Sequence, residues 1–280
     1  MRLLFSLATL GTIAVSALAQ SGKPQVPIFV LHSYSQEYPW TRGQHLGFMA
    51  ALDADKGRGY ELRVEYLDTK RAGYGADYAR LIAAHLRAKY AGYRPAAIYV
   101  SDDNALSFSL AHMDRIFPGV PVFFSGVNDY SVKRQIDSRK VTGVFENKEI
   151  GPNLDLIRSI SGERQDIVVI GDASETYRAI ENEVRAELHR HPGVQASFVS
   201  SNRLDDLIDK LARARARFVF LTTLGAVADA QGHTLSLSET LDAITKSGDF
   251  IILSMEDVYL RAGVLGGWVT SGPRQGRAAA

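Results

Sequence analysis

The sequence predicts an α/β protein made of two consecutive units, each a parallel sheet flanked by helices. Three observations carry that expectation. Short apolar, β-prone runs alternate with amphipathic helical segments at the spacing of βαβ crossovers. The same order of elements then starts again after an extended stretch at 146–152. Most of the apolar runs also end in polar residues, and in open α/β sheets ligands meet the protein at the carboxyl ends of strands. Two such rims facing each other enclose a cleft, the usual home of a small ligand.

The first unit opens with the apolar run IFVL at 28–31, a buried strand. It runs into a polar and aromatic loop, HSYSQEYPWT at 32–41, where Pro39 fixes the backbone and pushes Tyr38 out of helical space. An amphipathic helix is expected over 43–52, and an outer strand with alternating polarity over 61–68. A Gly-Tyr-Gly loop at 73–75 leads to a helix over 77–90, with Tyr78, Leu81, Ile82 and Leu86 on one face. A strand at 96–100, a helix at 105–117 and a strand at 120–124 follow, and 141–146 is extended.

In the second unit the expected elements are a helix at 153–160 and a strand at 166–170, then a helix N-capped by Ser174. A strand at 195–199 precedes a helix marked by Leu204, Leu207, Ile208 and Leu211, with Asp205 and Asp206 suited to its positive first turn. Strands at 217–221 and 250–254 flank a helix at 237–246. Residues 266–271 are extended, and Pro273 opens one more helix. The lobes expected are therefore 26–146 and 147–266, with 267–280 starting a crossover back to the first. One helical turn has no stability alone, so the last residues read as a helix cut short and the chain as clipped from a longer one.

The N-terminus reads as an export signal. Met1 and Arg2 form a minimal positive end, 3–15 is almost wholly apolar, and the small-residue pattern at Ala17 and Ala19 predicts cleavage after Ala19, giving a signal peptide over 1–19. The chain has no Cys, which excludes a lipoprotein anchor, a disulfide framework and a thiolate metal site. At 280 residues it is long enough to hold together by its core alone. A net charge of +1 with no basic stripe argues against a nucleic-acid partner. Motifs for nucleotide binding, zinc hydrolysis and serine hydrolysis are missing, and no cofactor is expected.

The candidate chemistry lies in the strand-end loops. Ser101, Asp102, Asp103 and Asn104 join a strand to a helix; there they either cap the helix or, with its free N–H groups, meet a ligand. Ser125, Gly126, Val127, Asn128 and Asp129 form a second such loop, in which Gly126 permits close approach or positive φ. Asp68, Glu146, Asp172, Thr222, Thr223 and Glu256 fall at or after other strand ends. Asp68, Lys70 and Arg71 either hold a ligand or form a local salt-bridge cluster of small energetic value, the structural role being the favoured one for Lys70 and Arg71. Tyr38 and Trp40 either plug the core or offer rings to a ligand.

Taken together, the stretches at 32–41, 66–71, 101–106, 117–121 and 125–129 resemble the periplasmic ABC-transporter substrate-binding proteins. More closely, they resemble the form fused, as a sensor domain, to membrane histidine kinases and diguanylate cyclases. The resemblance implies a type I periplasmic-binding fold, two lobes closing on an amino acid or another small organic molecule. It places ligand contacts at Ser33, Tyr34 and Trp40, at Asp102, Asp103, Asn104 and Ala105, and at Ser125, Gly126 and Asn128. In the second lobe it matches less clearly, and Glu146, Asp172, Thr223 and Glu256 are the expected contacts there. The implied partner is a membrane kinase or cyclase module, or alternatively an ABC permease, and the implied location is the periplasm. A different class, an exported α/β enzyme with a carboxylate pair in the cleft, predicts two acids reaching one substrate atom.

Overall fold

The computed structural model describes residues 25–162, 165–262 and 264–280. The signal peptide expected over 1–19 lies outside them. In the first lobe the order is β1 (Gln25–His32), α1 (Pro39–Ala54), β2 (Gly59–Tyr66), α2 (Thr69–Ala72), α3 (Ala76–Lys89) and β3 (Ala97–Ser101). Then come α4 (Asp102–Phe108), a π-helical turn (Ser109–Met113), α5 (Asp114–Ile116), β4 (Val122–Val127), a 3-10 turn (Tyr130–Arg134) and β5 (Val141–Phe145). The second lobe holds α6 (Ile150–Ser161), β6 (Gln165–Gly171), α7 (Glu175–Leu188), β7 (Val194–Ser200), α8 (Leu204–Ala214), β8 (Phe218–Leu221), α9 (Leu237–Lys246) and β9 (Ile251–Ser254). A 3-10 segment (Asp257–Ala262) and α10 (Gly272–Ala279) end the chain.

The strand order is β2-β1-β3-β4-β5 in one sheet and β7-β6-β8-β9 in the other, and every pairing between these strands is parallel. Parallel sheets covered on both faces need strands that are apolar throughout. In β1, Phe29 and Leu31 enter one core while Ile28 and Val30 enter the core on the opposite face. In β6, Val168 and Ile170 face one side, Ile167 and Val169 the other. The two-residue period of a strand produces this division.

The chain passes between the lobes at 146–149 and again over 255–271. The two crossings are tied together. Thr270 Oγ1 donates to the Asn147 carbonyl at 2.8 Å, and Asn153 exchanges two hydrogen bonds with the backbone of Trp268. After the second crossing, α10 returns to the first lobe and packs on α1. The approach is so close that a Cβ at Gly276 would overlap the Gln44 carbonyl oxygen, and one at Gly47 the Pro273 carbonyl oxygen. Eight residues of α10 are helical because they dock, not because so short a helix is stable by itself.

Three expected loops are structured instead. Pro39 opens α1 at its first turn, where a missing N–H costs nothing, so Trp40 and Thr41 are helical rather than in a loop. The polar run after β3 forms the first turn of α4 directly, with Asp102 at φ 68° making the corner. Ser125 and Gly126 belong to β4, which has a register shift between Phe124 and Val127 around Gly126 at φ 71°.

Candidate functional site

The polar residues at the strand ends divide into two groups. One lies behind the rim of the first lobe and is satisfied within it. Ser33 Oγ donates to the Ser101 carbonyl and accepts from the Ala105 N–H, both at 2.8 Å. The Asp102 carboxylate accepts from Trp40 Nε1 at 2.9 Å, from Gln44 Nε2 at 2.9 and 3.1 Å, and from Ser101 Oγ at 2.9 Å. Ser125 Oγ donates to Gln44 Oε1, and the Gly126 N–H reaches Gln275 Oε1. His32 Nδ1 lies 2.8 Å from Ser101 Oγ, and burial beside His45 pushes its imidazole down to about 3, so it is neutral. Because all of Asp102's donors are neutral, burial wins and pushes its carboxyl up to about 7.

Ser33, Trp40, Asp102, Ala105, Ser125 and Gly126 were expected to face a ligand. The structure puts them at most a few per cent exposed, with their polar groups used inside one lobe. Trp40 in particular donates its N–H to Asp102, is 2% exposed, and has Lys148 Nζ 5.6 Å from its ring centre.

The second group spans the lobes. Tyr34 OH lies 2.9 Å from Thr176 Oγ1 at the start of α7. Asn104 Nδ2 donates to Glu175 Oε2 at 3.2 Å, while Asn104 Oδ1 accepts from Thr69. Lys70, on α2, reaches across to Asp172 Oδ2 at 3.2 Å and Thr223 Oγ1 at 2.9 Å. The same ammonium stands 4.7 Å from the centre of the Tyr34 ring and 5.3 Å from that of Tyr38. The local-cluster reading thus fits Arg71, which pairs with Asp68 and Glu37, but not Lys70. Within the first lobe, Asp103 accepts from the backbone N–H groups of Asn128 and Asp129, and Asn128 Nδ2 donates to Glu146, where the chain leaves that lobe.

Behind these, at the crossings, Lys148 Nζ is held between Glu146 and Glu256, the latter at 2.7 Å. Burial alone would lower the lysine's pKa, but the two carboxylates hold it above its ordinary range. Burial pushes Glu146 up to about 8, with Lys148 opposing and Glu256 adding to the rise. Two acids do converge on one atom here, and that atom is the chain's own Lys148 Nζ, whose side chain is fully buried.

Three cavities follow the seam. One of about 720 Å³ is lined by Asp103, Asn104, Asp129 and Glu175. One of about 480 Å³ is lined by Tyr34, Lys70, Asn104, Ser174 and Thr176. A third, about 470 Å³, lies on the other side of Tyr34 and Lys70, against Tyr38 and Gly225. Tyr34, Asp103 and Asn104 are thus the expected residues that line cavities; Asp172 and Thr223 join them through Lys70. Asn128, Glu146 and Glu256 sit just behind. Among the described residues no group of three or more His, Asp or Glu is placed to hold a metal ion. Lys148, Glu175 and Thr176 are not among the expected cleft residues, and for Lys70 the ligand-holding reading stands second to the local salt-bridge cluster. For Lys70 a signal existed: it lies just past a strand end, like the acids that were singled out.

No family model matches this chain, and no curated protein does either. Solved structures do. A conserved domain protein from Vibrio cholerae O1 biovar El Tor matches with a TM-score of 0.65 at 14% identity, over 92% of this chain and 83% of that one. An ABC domain from Streptococcus pneumoniae, solved in complex with L-Trp, matches at 0.62 and 13%, over 91% and 82%. A substrate-binding protein with adhesive properties from Clostridium difficile, in a ligand-free, open structure, matches at 0.58 and 12%, over 90% and 82%. The class these comparisons define is a fold class: the chain has the two-lobed type I fold of the periplasmic substrate-binding proteins.

Proposed function

We propose that this chain is a binding module for a small organic molecule held between its lobes, without catalysis, and that closure of the lobes is its output. The observation that carries the reading is the seam itself. Tyr34, Lys70 and Asn104 of one lobe meet Thr176, Asp172, Thr223 and Glu175 of the other around adjoining cavities of molecular size. A guest that touches both rims favours the closed form, because only there does it make all its contacts. The ligand of one structural neighbour, L-Trp, and the paired Tyr34 and Tyr38 rings at the seam support an amino-acid-like or aromatic guest. Against an acid–base enzyme stands the use of Glu146 and Glu256 by Lys148.

The chain acts, in this reading, outside the cytoplasmic membrane as the sensory input of a membrane kinase or cyclase; service to an ABC permease is the alternative. Among the described residues no helix is long and apolar enough to cross a membrane. Native mass spectrometry of the purified protein, followed by a thermal-shift screen of amino acids, tests the binding. A saturable rise in Tm with a stoichiometric adduct is expected. No shift with any class of small molecule, together with small-angle scattering that no compound changes, overturns the reading. A spanning segment or a permease gene in the parent operon separates sensor from transporter.

A further inference from the structure

The slot that Lys70 fills is a cage for an ammonium group. Two tyrosine rings offer their faces, the Asp172 carboxylate and the Thr223 hydroxyl accept hydrogen bonds, and the Lys70 side chain is only 6% exposed. Rings and a carboxylate together favour a desolvated cation far more than a neutral group. The cage itself comes mainly from the second lobe and from the loop after β1, while the cation comes from α2. The far wall is shaped to the methylene stem: a Cβ on Gly225 would come within 2.5 Å of Lys70 Cδ and 2.6 Å of Tyr38 Cε2. Asp172 is oriented without the lysine, since the Ala226 N–H at 2.9 Å, the Ser174 N–H and the Ser174 hydroxyl also bind it. On both sides of the Tyr34–Lys70 partition the lobes leave cavities, about 480 and 470 Å³. Withdrawing one flexible side chain therefore joins two cavities and opens the cage at their junction.

We infer that Lys70 is a tethered occupant of a subsite for primary alkylammonium compounds, and that a ligand bearing such a group binds by displacing it. The inference rests on the ligand-binding reading above and deepens it. The lysine then has two effects. It links the lobes, and it competes with the guest, so affinity falls by the fraction of time the cage is occupied.

The test uses the mature chain and n-propylammonium, which reproduces Cγ to Nζ of the deleted side chain in Lys70→Ala. Isothermal titration should show saturable binding at least about tenfold tighter to Lys70→Ala than to the unsubstituted protein. 1-Propanol should show none, and adding Asp172→Asn should abolish the gain. Equal binding of 1-propanol, survival of the gain in the double variant, or no binding to Lys70→Ala overturns the inference. Lys70→Ser provides a second variant, whose side chain ends at Oγ and leaves the rest of the slot free for NH4+. Ammonium chloride should raise its Tm more than sodium chloride does; equal effects count against the cage. If neutral or anionic compounds bind the unsubstituted protein while both ammonium tests fail, the cage falls and the ligand-binding reading stands.

Discussion

Asp102 and Asp172 occupy comparable places and do different things. Each directly follows an interior strand, β3 or β6, and each is almost wholly buried. Asp102 is cradled by neutral donors of its own lobe, Trp40, Gln44 and Ser101. Asp172 is held by its own lobe as well, through Ala226 and Ser174, but it also takes a cation from the opposite lobe. A carboxylate closed off within one lobe braces that lobe whatever the other does. A carboxylate shared across the seam couples its bonding to lobe position. Burial and strand-end location are common to both, so neither property identifies a cleft residue; the origin of the donors does.

The largest expected effect comes from breaking the one-lobe cradle. Asp102→Ala strands the Trp40 and Gln44 donors in the interior and leaves an alanine at φ 68°. Each buried unsatisfied donor costs about 1–3 kcal/mol, and Ala tolerates the left-handed corner less well than the Asp it replaces. A loss of roughly 3–5 kcal/mol in urea unfolding is expected. Lobe closure, read by small-angle scattering below the transition, should be unchanged. A loss under about 1 kcal/mol would mean the cradle does not brace the lobe.

A smaller effect on stability, but a visible one on shape, is expected from Asp172→Asn. The amide keeps the size and one acceptor oxygen while removing the charge that faces Lys70. Truncating a charge-assisted bond of this kind costs about 1–3 kcal/mol, and part of the lysine's remaining cost is avoided by opening the seam to water. The radius of gyration should rise relative to the parent chain and to Asp102→Asn. An unchanged radius would detach Lys70 and Asp172 from closure.

The contrast also explains what the sequence could reveal. Strand alternation is written in residues such as 28–31 and 167–170, because a sheet covered on both faces must be apolar at every position. The rim was legible as a location, since Asp102, Asp103, Asn104, Asp172 and Thr223 all follow strands. Which of these residues look into the cleft was not legible. Trp40 and Ser33 sit on the same rim as Tyr34, and only bonds distant in sequence turn them inward: Trp40 to Asp102 beneath α10, Ser33 to Ser101 and Ala105. Lys70 depends on a contact 102 positions away along the chain, which no local pattern encodes. Lys148 was hidden for the same reason: its partner Glu256 lies on the other crossing.

Glu183 tests a third condition, a carboxylate satisfied by neither lobe. It sits half-buried on α7, with no hydrogen-bond donor reaching it among the described residues, and feels both Lys148 and Asp103. Burial pushes it up to about 7; Lys148 opposes that rise and Asp103 adds to it. A carboxyl whose folded pKa is raised binds its proton more tightly in the folded state. Its unfavourable contribution is absent below the unfolded value, grows as pH climbs from about 4.5, and is complete above about 7. Glu183→Gln removes that contribution. The variant should match the parent Tm near pH 4 and exceed it at pH 8. Because solvent reaches this side chain, the gain should be about 1 kcal/mol, or roughly 2–4 °C. The slope left in the variant is set by other groups: Asp102 and Glu146, raised to about 7 and about 8, act in the same direction, while His32, lowered from 6.5 to about 3, acts against them. A Tm difference that stays constant from pH 4 to pH 8 would show that Glu183 ionises as freely in the folded chain as in the unfolded one, and that solvent alone satisfies it.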